Sequence, residues 1–169
     1  MLSAERIMTL LELRPLPGEG GFYRETYRSD EAVPAAALPD RYGGERRFGT
    51  AIYYLLTGAT HSRLHRVASD EVFNFLLGDA VTMLQLDPEG AARTVRLGSD
   101  PAGGDALQVV VPRGVWQGAV LAEGGRWALM GVTVAPGFEF DDYEPADGDA
   151  LARRWPDHEA LIRRLASPP

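Results

Sequence analysis

Residues 61–78 read HSRLHRVASDEVFNFLLG. Taken as a strand, residues 63–67 put Arg63, His65 and Val67 on one face and Leu64 and Arg66 on the other. Taken as the next strand, residues 71–77 put Glu71, Phe73, Phe75 and Leu77 on one face, with Asn74 opposite. If the His65 and Glu71 faces both point into a closed sheet, an imidazole and a carboxylate meet in an apolar, aromatic-lined cavity. Such a place suits a metal ion or general acid–base work. His61 precedes His65 by four strand residues, a span of roughly 13 Å. Ligands held about 2 Å from one ion do not bridge that distance along a straight strand, so His61 is expected at the surface or the pocket rim.

The chain on either side has the same β-rich pattern. Residues 22–28 alternate Phe22, Arg24, Thr26 and Arg28 with Tyr23, Glu25 and Tyr27, a strand rich in aromatic residues. From residue 48 to about 138, short apolar runs (FGTAIYYLLT, AVTMLQL, ARTVRLG, ALQVVVP, VWQGAVL, RWALMGVTVA) are separated by turn signals, including a hairpin turn at Asp87-Pro88-Glu89-Gly90. Many short strands at fairly even spacing predict an all-β sandwich or barrel. The barrel is expected over roughly 20–140. Residues 4–13 carry Ile7, Leu10 and Leu11 at helical spacing behind Ser3, a suitable N-cap, and Pro15 and Pro17 end that helix. A short amphipathic helix is expected near the C-terminus, roughly over 150–166. Residues 30–47, with Pro34, Pro39, Gly43 and Gly44, read as an exposed excursion. The acidic run 139–149 lacks EF-hand spacing and reads as a solvated loop. No linker or repeat divides the chain, so one domain over 1–169 is expected.

Composition narrows the function classes. The 169 residues are 45% hydrophobic and suffice for a real core. A net charge of −7 argues against non-specific nucleic-acid binding. No apolar run is long enough to span a bilayer, and the N-terminus makes a poor signal peptide, so a cytoplasmic location is expected. The absence of Cys excludes disulfides and thiolate chemistry. All 17 basic residues are arginine, which excludes Schiff-base, pyridoxal and P-loop lysine chemistry. GxSxG and GxGxxG are also absent.

The spacing of the opening stretch resembles the first cupin motif, in which two His flank one residue, a Glu follows and a Gly closes the strand. Here these positions are His65, Val67, Glu71 and Gly78. Pro112-Arg113-Gly114-Val115-Trp116-Gln117 resembles the second motif, with Gln117 where its His would stand. The blocks EGGFYRETYRS, TAIYYLL, HRVASDEVFNF, VVVPRGVWQG and VTVAPGFEFDDYE resemble those of the single-domain cupin-5 group over nearly the whole chain. The resemblance implies a cupin jelly-roll barrel and a homodimer that exchanges or pairs N-terminal strands. It implies no activity, because that group has none settled. Where the group usually has Trp-His, this chain has Phe73-Asn74.

The resemblance places the metal positions on His65, Glu71 and Gln117, with valine at the fourth. Two strong ligands and an amide oxygen hold a divalent Fe, Mn or Ni ion loosely, so either no cofactor or a weakly bound transition metal is expected. The pocket set is His65 and Glu71 for proton chemistry, with Tyr23, Arg24, Thr26, Phe73 and Gln117 around an organic ligand. His65 is expected to move the proton and Glu71 to orient it. Tyr53, Phe75 and Trp116 are expected in core or interface, and Phe138 and Phe140 at a barrel end. Three functions follow. The first is a small-molecule-binding protein, metal-free or weakly metallated, acting as an isomerase or epimerase on a sugar or carboxylate. The second is a metal-dependent oxygenase, and the third a non-catalytic binding or scaffold protein.

Overall fold

The computed structural model of the chain describes residues 2–168. A six-stranded antiparallel sheet runs in the order β1 (Arg14–Pro15), β2 (Phe22–Arg28), β5 (Thr50–Thr57), β12 (Trp127–Ala135), β7 (Asp70–Gly78), β10 (Gln108–Val111). A five-stranded sheet runs β13 (Glu144–Pro145), β6 (Ser62–Arg66), β11 (Trp116–Leu121), β8 (Val81–Leu86), β9 (Ala92–Leu97). The chain passes repeatedly from one sheet to the other, and the two close on a shared core of Tyr54, Leu56, Phe73, Met83, Leu97, Val111, Ala119, Met130 and neighbours. This is the all-β sandwich expected from the strand spacing, in the jelly-roll form that the resemblance implied. The Asp87–Gly90 hairpin is present between β8 and β9, with Gly90 at a φ of 112° that suits glycine.

Helices cover the outer faces. The Ser3 side chain caps helix α1 (Ala4–Leu10), whose Ile7 packs on Leu55, Trp127 and Leu129 outside the six-stranded sheet. The helix expected over 150–166 is two helices, α2 (Gly148–Arg154) and α3 (Glu159–Ala166). Pro156 cannot donate to the turn before it, so the chain bends through a 3-10 turn at Pro156–His158. Leu151, Trp155, Ile162 and Leu165 then seat on Leu64, Leu84, Leu86 and Val120 of the five-stranded sheet.

Residues 30–47 are mostly exposed, as expected, and include a ribbon of β3 (Ala32–Val33) and β4 (Arg46–Arg47). Arg46 is buried and makes a bidentate pair with Asp142 at 2.8 and 2.6 Å. The acidic run is largely solvated, as expected, except for the buried Asp142, and its carboxylates carry several ion pairs. Glu139 pairs with Arg28, Asp142 with Arg46, Glu144 with Arg66 and Asp149 with Arg163, while Asp147 caps α2. Arginines from four elements thus tie this segment across the barrel.

Three bulges decide which side chains face inward. In β6, Gln117 pairs with His65 but Ala119 pairs with Ser62, so one extra residue is accommodated at 63–64. Simple alternation would turn Arg63 inward; the bulge puts Ser62 on the inner face with His65 and leaves Leu64 to the helices. In β2 the register shifts between Glu25 and Tyr27, so Tyr23, Glu25 and Arg28 face inward. In β7 the shift falls at Leu76, and Leu77 leaves the Glu71–Phe73 face and is exposed.

Candidate functional site

Between the sheets lies a cavity of about 340 Å³, within the range of small-molecule sites. Its apolar walls are Leu16, Ile52, Tyr54, Phe73, Val132 and Val134. Its mouth is framed by Arg14, Tyr23, Glu25, Arg28, Phe138, Glu139 and Phe140. Phe138 and Phe140 meet edge to face with ring centroids 5.3 Å apart. Arg28 is held by Glu25 at 2.9 Å and Glu139 at 2.6 Å. Arg14 donates to the Tyr23 hydroxyl at 3.1 Å.

Of the four glutamates that line this cavity, Glu19 and Glu71 lie at its inner end, away from Glu25 and Glu139 at the mouth. Glu19 sits in the tight turn between β1 and β2. Gly21 adopts a φ of 68°, and a Cβ there would stand 2.8 Å from the Leu55 carbonyl oxygen and 2.9 Å from the Tyr54 ring. Only glycine lets the turn press this close to β5. The turn is fixed by Tyr54, which donates to the Gly20 carbonyl at 2.9 Å, and by the Arg63 N–H on the Glu19 carbonyl at 2.8 Å. The Glu19 carboxylate accepts from Ser62 at 3.0 Å, the residue that the β6 bulge turns inward.

Behind the cavity wall, His65, Gln117 and Glu71 form one hydrogen-bonded cluster. His65 Nδ1 lies 2.6 Å from the Arg63 carbonyl oxygen, so in the neutral imidazole Nδ1 carries the proton and Nε2 accepts. Gln117 Nε2 donates to His65 Nε2 at 3.0 Å and to Glu71 Oε2 at 3.2 Å. Gln117 Oε1 is buried with no hydrogen-bond partner among the described residues. His65 Nε2 is also 4.0 Å from Glu19, and its ring stacks at 4.7 Å on Tyr143.

Burial raises the Glu71 pKa to about 7; His65 opposes the rise, Glu19 adds to it and the Gln117 N–H lowers it. Burial also pushes the Tyr143 phenol up to about 12 and that of Tyr54 well above its ordinary value. Both tyrosines therefore stay neutral hydrogen-bond donors at physiological pH, whereas Glu71 is poised to hold or release a proton.

The expected site residues separate into two groups. His65, Glu71 and Gln117 come together as one cluster, and Tyr23 and Phe73 line the same cavity. His65 and Gln117 stand behind Glu71 and do not line the cavity themselves. Arg24 and Thr26 are not brought to it. Arg24 lies on the outer face over the Tyr53 ring and pairs with Glu12 at 3.4 Å, and Thr26 donates to the Ala51 carbonyl. The arginine that β2 presents inward is Arg28. His61 bonds the Ser167 carbonyl, away from the cavity. Asn74 is on the outer face and accepts from Gln108 at 2.6 Å. Sequence reasoning missed Glu19, Ser62, Tyr54 and Tyr143. Glu19 carries one usable signal, a carboxylate directly before the Gly20-Gly21 pair.

The donor set does not fit a transition-metal ion. Val67 lines a different surface groove and offers no donor. The Gln117 amide N–H occupies the His65 Nε2 lone pair and one Glu71 oxygen, the positions an ion would need. Among the described residues, no three His, Cys, Asp or Glu side chains gather in a metal-holding group.

The jelly roll, the His65–Glu71–Gly78 spacing and Gln117 paired to His65 on the facing strand are the frame of a cupin. The family profile described as Cupin superfamily (DUF985) matches residues 5–146. The chain belongs to this family. Its structure is similar to protein SO0799 of Shewanella oneidensis, at 36% identity and a TM-score of 0.86 over 100% of both chains. A hypothetical protein of Leishmania major is 32% identical, with a TM-score of 0.85 over 97% of this chain and 98% of that one. The uncharacterized protein YML079W of Saccharomyces cerevisiae is 28% identical over 144 residues, 78% of this chain and 69% of that protein. Oxalate decarboxylase of Bacillus subtilis shares the fold alone, at 15% identity and a TM-score of 0.54, and this cupin spans 38% of its length. No helix among the described residues of this cupin is long and apolar enough to cross a membrane.

Proposed function

We propose that this cupin binds a small polar organic molecule in the cavity between its sheets and moves a proton on it, as an isomerase or epimerase does. The observation that carries the reading is Glu71: a buried carboxyl with its pKa raised to about 7, on the wall of a 340 Å³ cavity. In this reading the roles expected from the sequence exchange. Glu71 reaches the ligand and transfers the proton, and His65 acts from behind, through Gln117, as a positioning residue. As carboxylate, Glu71 takes a proton from a ligand carbon beside a carbonyl, and the electron pair moves to the carbonyl oxygen. As acid, it returns the proton to the same carbon, or to the former carbonyl carbon once the ligand's neighbouring hydroxyl has passed its proton to the enolate oxygen and become the new carbonyl, so the net proton count is unchanged over the cycle. Tyr54 and Ser62 keep Glu19 and its turn in place beside the reacting end. No step passes through a metal.

The test is deuterium wash-in. Small sugars, sugar phosphates and hydroxy acids are incubated with the protein in D₂O and followed by proton NMR. Carbon-bound deuterium that appears with the native chain and is lost in Glu71→Gln is the expected result. Binding without wash-in would leave a non-catalytic binding protein. Near one equivalent of a transition metal by elemental mass spectrometry, lost in His65→Ala, would replace proton transfer by a metal-assisted reaction.

The homodimer and the cytoplasmic location belong to the same proposal. Exposed Leu76, Leu107 and Val110 beside the outer face of the six-stranded sheet support a dimer, which sedimentation equilibrium tests.

A further inference from the structure

The charges around the cavity favour one ligand class. Two arginines line it, Arg14 and Arg28, against four glutamates, Glu19, Glu25, Glu71 and Glu139, a net of −2 when all are ionised. The imbalance is concentrated at the inner end. At the mouth Arg28 is held between Glu25 and Glu139 and Arg14 is spare, so that region is close to neutral. At the inner end, neither Glu19 nor Glu71 has an arginine partner among the described residues; Glu19 is held by the Ser62 hydroxyl and Glu71 by the Gln117 amide. His65 Nε2 lies 4.0 Å from Glu19, and both of its ring nitrogens are bonded to neutral groups. Gln117 Oε1, 0% exposed and without a partner, adds a third acceptor to the same cluster. Elsewhere in this protein the buried carboxylate Asp142 is matched by Arg46. The inner end lacks that compensation, and isolated buried carboxylates are costly without a partner.

We infer that the ligand of this cavity is a small organic cation, a primary amine or amino compound, whose ammonium group sits between Glu19 and Glu71. This rests on the binding half of the function proposed above and names its substrate class. An ammonium offers N–H donors to the two carboxylates that line this end, and Tyr54 and Phe73 on the adjoining wall add aromatic surface beside it. A carboxylate or phosphate ligand would bring its charge against both glutamates. The groups that act on Glu71 from the elements packed against it are His65 from β6, Glu19 from the β1–β2 turn and the Gln117 N–H from β11; Glu25 and Arg28 from β2 line the same cavity.

The experiment uses the full chain, labelled with ¹³C at glutamate carboxyls, with the Glu71 signal assigned through Glu71→Gln. Three probes of one shape are compared at matched concentration: n-butylammonium, n-butanol and butyrate. The expected result is that n-butylammonium alone lowers the Glu71 titration midpoint, by at least about one unit, a tenfold gain for the ionised carboxylate. Glu19→Gln, checked for folding by circular dichroism, is expected to weaken amine binding about tenfold while Glu71 still titrates. Equal effects from butanol or butyrate, or no effect from the amine, overturn the inference. The free protein separates the two readings. A Glu71 midpoint near 4.5 would refute the proton-transfer function, and amine binding by saturation transfer at pH 8, above the Glu71 midpoint in either case, would still decide the ligand class.

Discussion

Replacing Glu71 by glutamine should make the protein more stable, and by an amount that depends on pH. The Glu71 pKa is about 7 in the fold against 4.5 for an unperturbed carboxyl. Below pH 4.5 the carboxyl is protonated in both states and contributes no difference. Between pH 4.5 and 7 the unfolded chain ionises and the folded chain does not, so the native state loses stability as pH rises. Above pH 7 the loss is complete. A shift of about 2.5 units corresponds to about 3 kcal/mol, at 1.36 kcal/mol per unit. Glutamine is neutral at every pH, close to isosteric, and still accepts from the Gln117 N–H. The stability advantage of Glu71→Gln should therefore be about 1 kcal/mol at pH 5 and about 3 kcal/mol at pH 8. Urea unfolding of both proteins at pH 5, 6, 7 and 8 measures this. Taking the difference removes titrations common to both chains. A difference that stays flat across this range, or that favours the native glutamate at pH 8, would refute the raised pKa and with it the poised proton on which the proposed function rests.

Other substitutions probe the frame around the site. Arg46→Ala strands a buried Asp142 carboxylate and should cost about 3 kcal/mol, measured as a lower urea midpoint with an unchanged slope. Leu165→Ala removes a fully buried side chain between α3 and the five-stranded sheet; a loss of about 2–5 kcal/mol in a single calorimetric transition would show that helices and barrel unfold together. Gly21→Ala forces a Cβ against the Leu55 carbonyl at a φ of 68°, and should cost about 1–3 kcal/mol by thermal unfolding and loosen the turn that presents Glu19.

The fold was legible because strand length, turn residues and the His65–Glu71–Gly78 spacing all agree, and a jelly roll is built from such local units. His65 and Glu71 were legible from strand parity, and Gln117 from its place in the Pro-x-Gly block that resembles the second cupin motif. The errors are of two kinds. Arg24 lies before the β2 shift and faces opposite Tyr23 by plain alternation, so the two could not share the cavity; in β6, alternation turns Arg63 inward where the bulge puts Ser62. An extra residue in one strand leaves no mark in the order of hydrophobic and polar residues, because it is fixed by pairing with a strand tens of positions away. Glu19 was hidden differently. It lies in a turn, where no periodicity applies, and its role comes from Gly21 allowing a close approach to β5. The arginines that tie down the acidic run were equally unreadable, since Arg28, Arg46, Arg66 and Arg163 meet it only after folding.

The bulge in β6 also bears on how such a barrel changes over time. In an unbroken strand Ser62 and Leu64 would share a side, so a hydroxyl under Glu19 and a leucine beneath the C-terminal helices would be alternatives. The extra residue lets one strand do both. Loss of either bulged residue would restore plain alternation with Ser62 still two positions from His65, so the hydroxyl under Glu19 would stay on the cavity side. The polar character of the inner end is therefore buffered against a one-codon deletion in this strand. A point change at Ser62 has no such buffer, because no neighbouring residue of β6 can take its place beneath Glu19.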